Sequence, residues 1–111
     1  MERRNNGMEH RWGERVRVNI PVQVSAAASA GFDGCMKNLS LSGALMKADF
    51  ELRLHSLIEV RIELPPPSPR IAVLMAHVSR MLHEGVGIEW CEFAPAVVKD
   101  LLRSPSVRYP P

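Results

Sequence analysis

A chain of 111 residues, 46% of them hydrophobic, is long enough for one domain with a single modest core, yet no apolar run in it approaches the roughly eighteen residues of a membrane span. The formal net charge of +2 is too small for the dense basic stripe of a nucleic-acid-polymer surface, and no apolar signal core follows Met-Glu-Arg-Arg-Asn-Asn-Gly, so a soluble, cytoplasmic protein without membrane insertion is expected. Eleven of the fourteen cations are Arg, whose planar fork suits phosphate or guanine O6/N7 better than a lysine point charge does.

Residues 1–10 are polar and glycine-containing, without hydrophobic periodicity, and are expected to form an arm that is mobile unless a ligand holds it. Arg11-Trp12-Gly13-Glu14-Arg15 follows. Arg11 and Arg15 are the only arginines of this region spaced four apart, since Arg3, Arg4, Arg15 and Arg17 each have another residue type four positions on. Helical geometry would put both on one face, but Gly13 and the strand pattern that follows favour a loop that wraps an anionic ligand as a clasp.

From Val16 the pattern changes to a period of two: Val16, Val18, Ile20, Val22 and Val24 alternate with polar residues or Pro21, the signature of a half-buried strand. Pro21 has no N–H for a ladder, so an edge or bulge is expected there. A small-residue turn over 26–34 leads to a second strand over 35–39. Asn38-Leu39-Ser40-Leu41-Ser42-Gly43 then reads as a polar turn, with Gly43 supplying permissive backbone before a third strand over 44–47. Residues 57–64 alternate again, ending at Pro65-Pro66-Pro67-Ser68-Pro69. The stretch 71–81 is more continuously apolar, as for a strand covered on both sides along part of its length. It turns at His83-Glu84-Gly85 into a sixth strand over 86–91, where Trp90 is in phase with Val86 and Ile88 and belongs to the core or the helix interface.

After Pro95, read as a first-turn residue, Val97, Val98, Leu101 and Leu102 form an apolar stripe that predicts one short helix. The expected fold is therefore all-β with one terminal helix: a small six-stranded antiparallel β-barrel with the C-terminal α-helix packed across it. Cys35 and Cys91 have no zinc-ligand spacing and read as reduced core or interface residues; no metal or cofactor is expected. The four histidines do not cluster, and the six methionines, without a common period, are expected to fill gaps in packing.

The Arg11/Arg15 pair and the Asn38–Gly43 hexamer resemble the RxxxR and (D/N)xSxxG signatures of the PilZ domain, the bacterial receptor family for cyclic di-GMP. The resemblance extends through the first strand, Gly85-Val86-Gly87-Ile88-Glu89-Trp90 and the amphipathic tail. It implies the same barrel, with 1–10 as a flexible arm, 11–103 as the domain and 104–111 as a tail. It further implies that Arg11 and Arg15 fork onto the phosphates and guanines, that Asn38 and Ser40 lie on the barrel surface and bond a guanine, and that Gly43 holds the turn. Ser42 occupies a place that needs a small residue, and His10, just before the first motif arginine, is the position that influences ligand number in the family. Trp12 either stacks on a base or packs against the barrel rim.

The function implied is a non-enzymatic cyclic di-GMP receptor that changes its surface on binding, by ordering residues 1–14, and so regulates an unidentified protein partner in motility, biofilm or polysaccharide pathways. The alternative is a PilZ-like protein-interaction adaptor that does not bind the nucleotide. A phosphodiesterase would need metal-binding carboxylates or a His/Asp cluster, and the glutamates here mostly occupy alternating solvent faces, as Glu59 and Glu63 do.

Overall fold

The computed structural model describes residues 14–26, 31–49, 51–64 and 70–109. Six strands, β1 (Val16–Ala26), β2 (Phe32–Leu39), β3 (Gly43–Ala48), β4 (Leu57–Leu64), β5 (Arg70–Leu82) and β6 (Gly85–Trp90), precede helix α1 (Ala96–Arg103) and a 3-10 turn (Pro105–Val107). The strands close into an antiparallel barrel in the order β1-β2-β3-β6-β5-β4.

The period-two pattern of β1 and β4 has a direct physical outcome. Val18, Ile20, Val22 and Val24 face inward, as do Ile58, Val60, Ile62 and Leu64, and all eight are buried. Met36 and Met46, opposite each other on β2 and β3, are fully buried and fill the middle of the barrel. Val98 and Leu101 of α1 and the half-buried Val97 and Leu102 join the same core, so the helix completes the hydrophobic cluster. Pro95 lies one residue earlier than a first-turn position. It occupies the N-cap, where its carbonyl accepts from the amides of Val98 and Lys99 at 3.0 and 3.1 Å.

Pro21 sits where β1 is paired on one side only. It opposes Cys35 of β2, while the β1–β4 ladder begins one residue later at Val22↔Ile62, so no ladder bond to β4 is lost. The β1 irregularity falls instead between Arg17 and Ile20. Two further register shifts, between Met36 and Asn38 on β2 and between Val78 and Arg80 on β5, reverse the inward-outward alternation.

Three further expectations change. The outer face of β5 is not covered: Ile71, Val73 and Met75 are exposed beside the charged outer face of β4. Neither cysteine is in the core, since Cys91 is exposed and Cys35 is half-buried with its Sγ 3.0 Å from Asn19 Oδ1; both are free thiols. Strand β2 also starts earlier than 35, at Phe32, because Val24 and Phe32 already pair. Beyond α1, Val18 forms an isolated bridge with Arg108, and the Tyr109 amide donates to Arg17 O at 2.9 Å, holding residues 105–109 along the first strand.

Candidate functional site

The site grows from the register shift in β2. After the shift Asn38 opposes Arg17 on one side and Leu45 on the other, facing outward rather than into the barrel. Its Oδ1 accepts from the Leu45 amide at 3.1 Å and from Arg15 Nη1 at 2.7 Å. Two donors on one atom identify it as the oxygen, which leaves the Nδ2 donors directed away from these bonds. The charge-assisted bond to Arg15 is short and fixes the guanidinium above the barrel surface. Partial burial, and then the positive charge of Arg80, hold the Arg15 guanidinium below the ordinary arginine range. Both effects disfavour its charge in the free protein, and the attraction of an anion beside it would offset them.

Ser40 is a correction. The expectation places it on the barrel surface, but it is fully buried and its hydroxyl is engaged within the turn. Ser40 Oγ accepts from the amides of Gly43 and Ser42 at 3.2 and 3.3 Å and lies 3.2 Å from both Gly43 O and Ser42 Oγ. The Ser40 amide donates to Gly43 O at 2.8 Å. This serine therefore shapes the bend that follows Asn38 instead of presenting a group to solvent. Ser40→Ala would leave two amides without their acceptor, a loss of about 1–3 kcal/mol. A urea melt should register it, and an unchanged midpoint would show the hydroxyl to be dispensable to the turn.

Gly43 is required for a reason different from backbone freedom. A β-carbon there would stand 1.9 Å from Ile88 O and 3.0 Å from Ile88 C, inside van der Waals contact, because β3 is pressed against β6 at this pair. Trp90 supports the same turn from β6: its indole N–H donates to Ser40 O at 3.2 Å and its amide to Ser42 O at 3.0 Å. Sequence periodicity places Trp90 in the core, but not this bond. A buried indole N–H needing an acceptor was the signal that could have found it. Ser42 is exposed at the tip.

Beside Asn38 a groove of about 400 Å³ is lined by Arg17, Val18, Asn19, Lys37, Asn38, Leu45 and Tyr109. It combines two cations, two amides and an aromatic ring, and none of its charged side chains is acidic. A second groove, about 530 Å³ between Pro21, Gly34 and Ile71, contains Asp33, Glu63 and only one cation, Arg61, and so suits an anion less well. Arg17, Lys37 and Tyr109 escaped the sequence reading; Tyr109 in particular joins Arg17 only through the return of the chain after α1. His10, Arg11 and Trp12, and the ordering of residues 1–14 as a whole, lie largely outside the described residues, which begin at Glu14. Among the described residues no group of three His, Cys, Asp or Glu side chains could hold a metal ion, and no helix is long and apolar enough to cross a membrane.

Comparisons with known proteins agree with this architecture. The chain is similar to the PilZ domain of CeSA from a cellulose-synthesizing bacterium, with 21% identity and a TM-score of 0.61 over 82% of this chain and 93% of that one. It is also similar to the Bacillus subtilis inhibitor of motility MotI/DgrA, with 19% identity and a TM-score of 0.60 over 80% of this chain but only 48% of that longer one. No curated protein matches it. The family model described as PilZ domain matches residues 8–104, a span that takes in both the arginine pair and the Asn38–Gly43 turn, and the chain belongs to the PilZ domain family.

Proposed function

We propose that this domain is a receptor for cyclic di-GMP that acts by binding, without catalysis, and passes the signal to a protein partner. The observation that carries this reading is the Arg15–Asn38 bond: residues of the two sequence signatures, 23 apart, meet on one cationic surface. Arg15 offers its remaining guanidinium donors to phosphate or to guanine O6/N7, and Asn38 Nδ2 offers a donor to a purine acceptor. The groove lined by Arg17, Lys37 and Tyr109 gives the ligand a second flank with a ring for stacking. Arg11, four residues before Arg15, completes the clasp from the arm, with His10 and Trp12 beside it.

Ser40, Ser42 and Gly43 contribute by holding the turn that positions Asn38. The unit that does this is residues 11–103, with 1–10 as a flexible arm and 104–111 as a tail, in a cytoplasmic protein, and the ligand orders residues 1–14. Outputs of the motility, biofilm or polysaccharide kind fit such a receptor, and one structural neighbour is itself an inhibitor of motility.

Calorimetric titration of nucleotide-free protein with cyclic di-GMP tests the reading and gives the stoichiometry. Saturable heat is expected, with GTP and GMP far weaker, because neither presents two guanines and a closed phosphate ring at once. No heat at high micromolar concentrations would sink the receptor reading and leave the adaptor that does not bind the nucleotide. Recovery of a linear product after incubation would instead indicate an enzyme.

A further inference from the structure

One arginine outside both sequence signatures is aimed at the same surface. In β5 the inward residues are Leu74, Ala76 and Val78, so strict alternation would bury position 80. The register shift between Val78 and Arg80 turns Arg80 outward instead, opposite Gly87. A single row then crosses four neighbouring strands: Asn38 opposes Leu45, Leu45 opposes Gly87, and Gly87 opposes Arg80. Asn38 and Arg80 thus stand at the two ends of one line, about 14 Å apart at the usual strand spacing. Both were brought to the outer face by a register shift of the same kind.

Gly87 gives the row a gap. A β-carbon there would lie 3.5 Å from Arg80 Cβ and 3.6 Å from Arg80 Nε, so the exposed Arg80 side chain runs alongside the glycine, and a branched side chain at 87 would crowd it. The positive charge of Arg80 also acts on Arg15, the second cause after burial that holds that guanidinium below the ordinary arginine range. Among the described residues neither guanidinium has a carboxylate partner; the carboxylates paired there meet Arg61, Arg70, His77 and Arg103. Two like charges held together by the fold without a counter-ion are a standing cost that a bound anion removes.

We propose that Arg80 is a third ligand-contacting arginine of this site, meeting a phosphate of the bound dinucleotide from the flank opposite Asn38, with Gly87 as the gap that lets it reach. The proposal rests on the receptor reading above, and the test separates the two. Cyclic di-GMP is titrated into the wild-type chain and the Arg80→Ala, Arg80→Lys and Gly87→Val variants at two salt concentrations.

Arg80→Ala should weaken binding about tenfold, the loss of one charge-assisted contact, and should flatten the salt dependence. Arg80→Lys should recover part of the affinity, because the charge remains while the fork is lost. Gly87→Val should weaken binding by crowding the Arg80 side chain. The ligand-free thermal midpoint of Arg80→Ala should stay level or rise, since it loses no partner and sheds a repulsion. Wild-type binding with unchanged affinity in Arg80→Ala overturns the proposal and leaves the receptor reading standing. A fall in midpoint parallel to the fall in affinity overturns it as well, by making Arg80 a structural residue. Absence of binding by the wild-type chain removes both readings together.

Discussion

Gly43→Ala should lower the thermal midpoint by on the order of 10–20 °C. The added carbon would have to occupy a point 1.9 Å from Ile88 O, and the atom in its way is backbone, which cannot rotate aside. Relief requires β3 and β6 to separate by more than an ångström at the Gly43↔Glu89 pair, which strains the adjoining ladder bond and the two Trp90 bonds to the turn. Overpacking of this kind costs about 1–3 kcal/mol and more where the obstacle is rigid; disruption of the Ser40 network adds to it. A thermal melt followed by circular dichroism reads the effect directly. A midpoint within two or three degrees of the wild type would show that the two strands separate easily and that the close approach is not structurally required.

Arg15→Ala should do the reverse: little to the fold and much to the ligand. Asn38 Oδ1 keeps the Leu45 amide when Arg15 is gone, and no buried group loses its partner. The ligand-free midpoint should therefore remain within the range of an ordinary surface substitution. Affinity for cyclic di-GMP should fall tenfold or more, because the guanidinium is already fixed by Asn38 and its remaining donors bind without a further loss of side-chain freedom. Lysine at position 15 should fail to restore it, since a single ammonium cannot bond Asn38 and a ligand in the same forked geometry. Unchanged affinity in Arg15→Ala, measured by the same titration, would remove this arginine from the mechanism.

Where alternation is uninterrupted, the sequence is a sufficient guide to the fold. β4 runs over the interval its pattern marks, and the inward residues of β1 are the five-valine-and-isoleucine series in all but its first, half-buried member, Val16. The site is less legible because it is built on interruptions. The shifts in β2 and β5 break the alternation at Asn38 and Arg80, so period-two reasoning gives no warning that these two share an outer row. The motif pattern finds Asn38, but nothing of the kind finds Arg80, which lies 65 positions after Arg15 in a strand that reads as ordinary.

The glycine and serine of the turn are legible as residues but not in their physical reasons. Gly43 is needed for the proximity of Ile88 rather than for an unusual dihedral, and Ser40 for bonds inside the turn rather than outside it. The first reason depends on β6, whose relation to β3 no local pattern expresses. The apolar outer face of β5 misled in the opposite direction: continuous hydrophobicity reads as burial, yet Ile71, Val73 and Met75 are exposed.

The β1–β4 ladder that closes the barrel sets the order in which the protein can be made. Val22 pairs with Ile62, forty positions downstream, whereas its partners in β2 lie within a dozen or so residues. At about 5–20 residues per second, roughly 2–8 s of synthesis separate the two halves of that ladder. Through that interval β1 and β2 can meet, but the other side of β1 has no partner and offers unpaired backbone to any neighbouring nascent chain. Pro21, which interrupts that side just before the ladder begins, and the outward Arg17 and Gln23 make it a poor template for a stranger. The same proline that marks an incomplete edge in the finished barrel is a guard on the unfinished one.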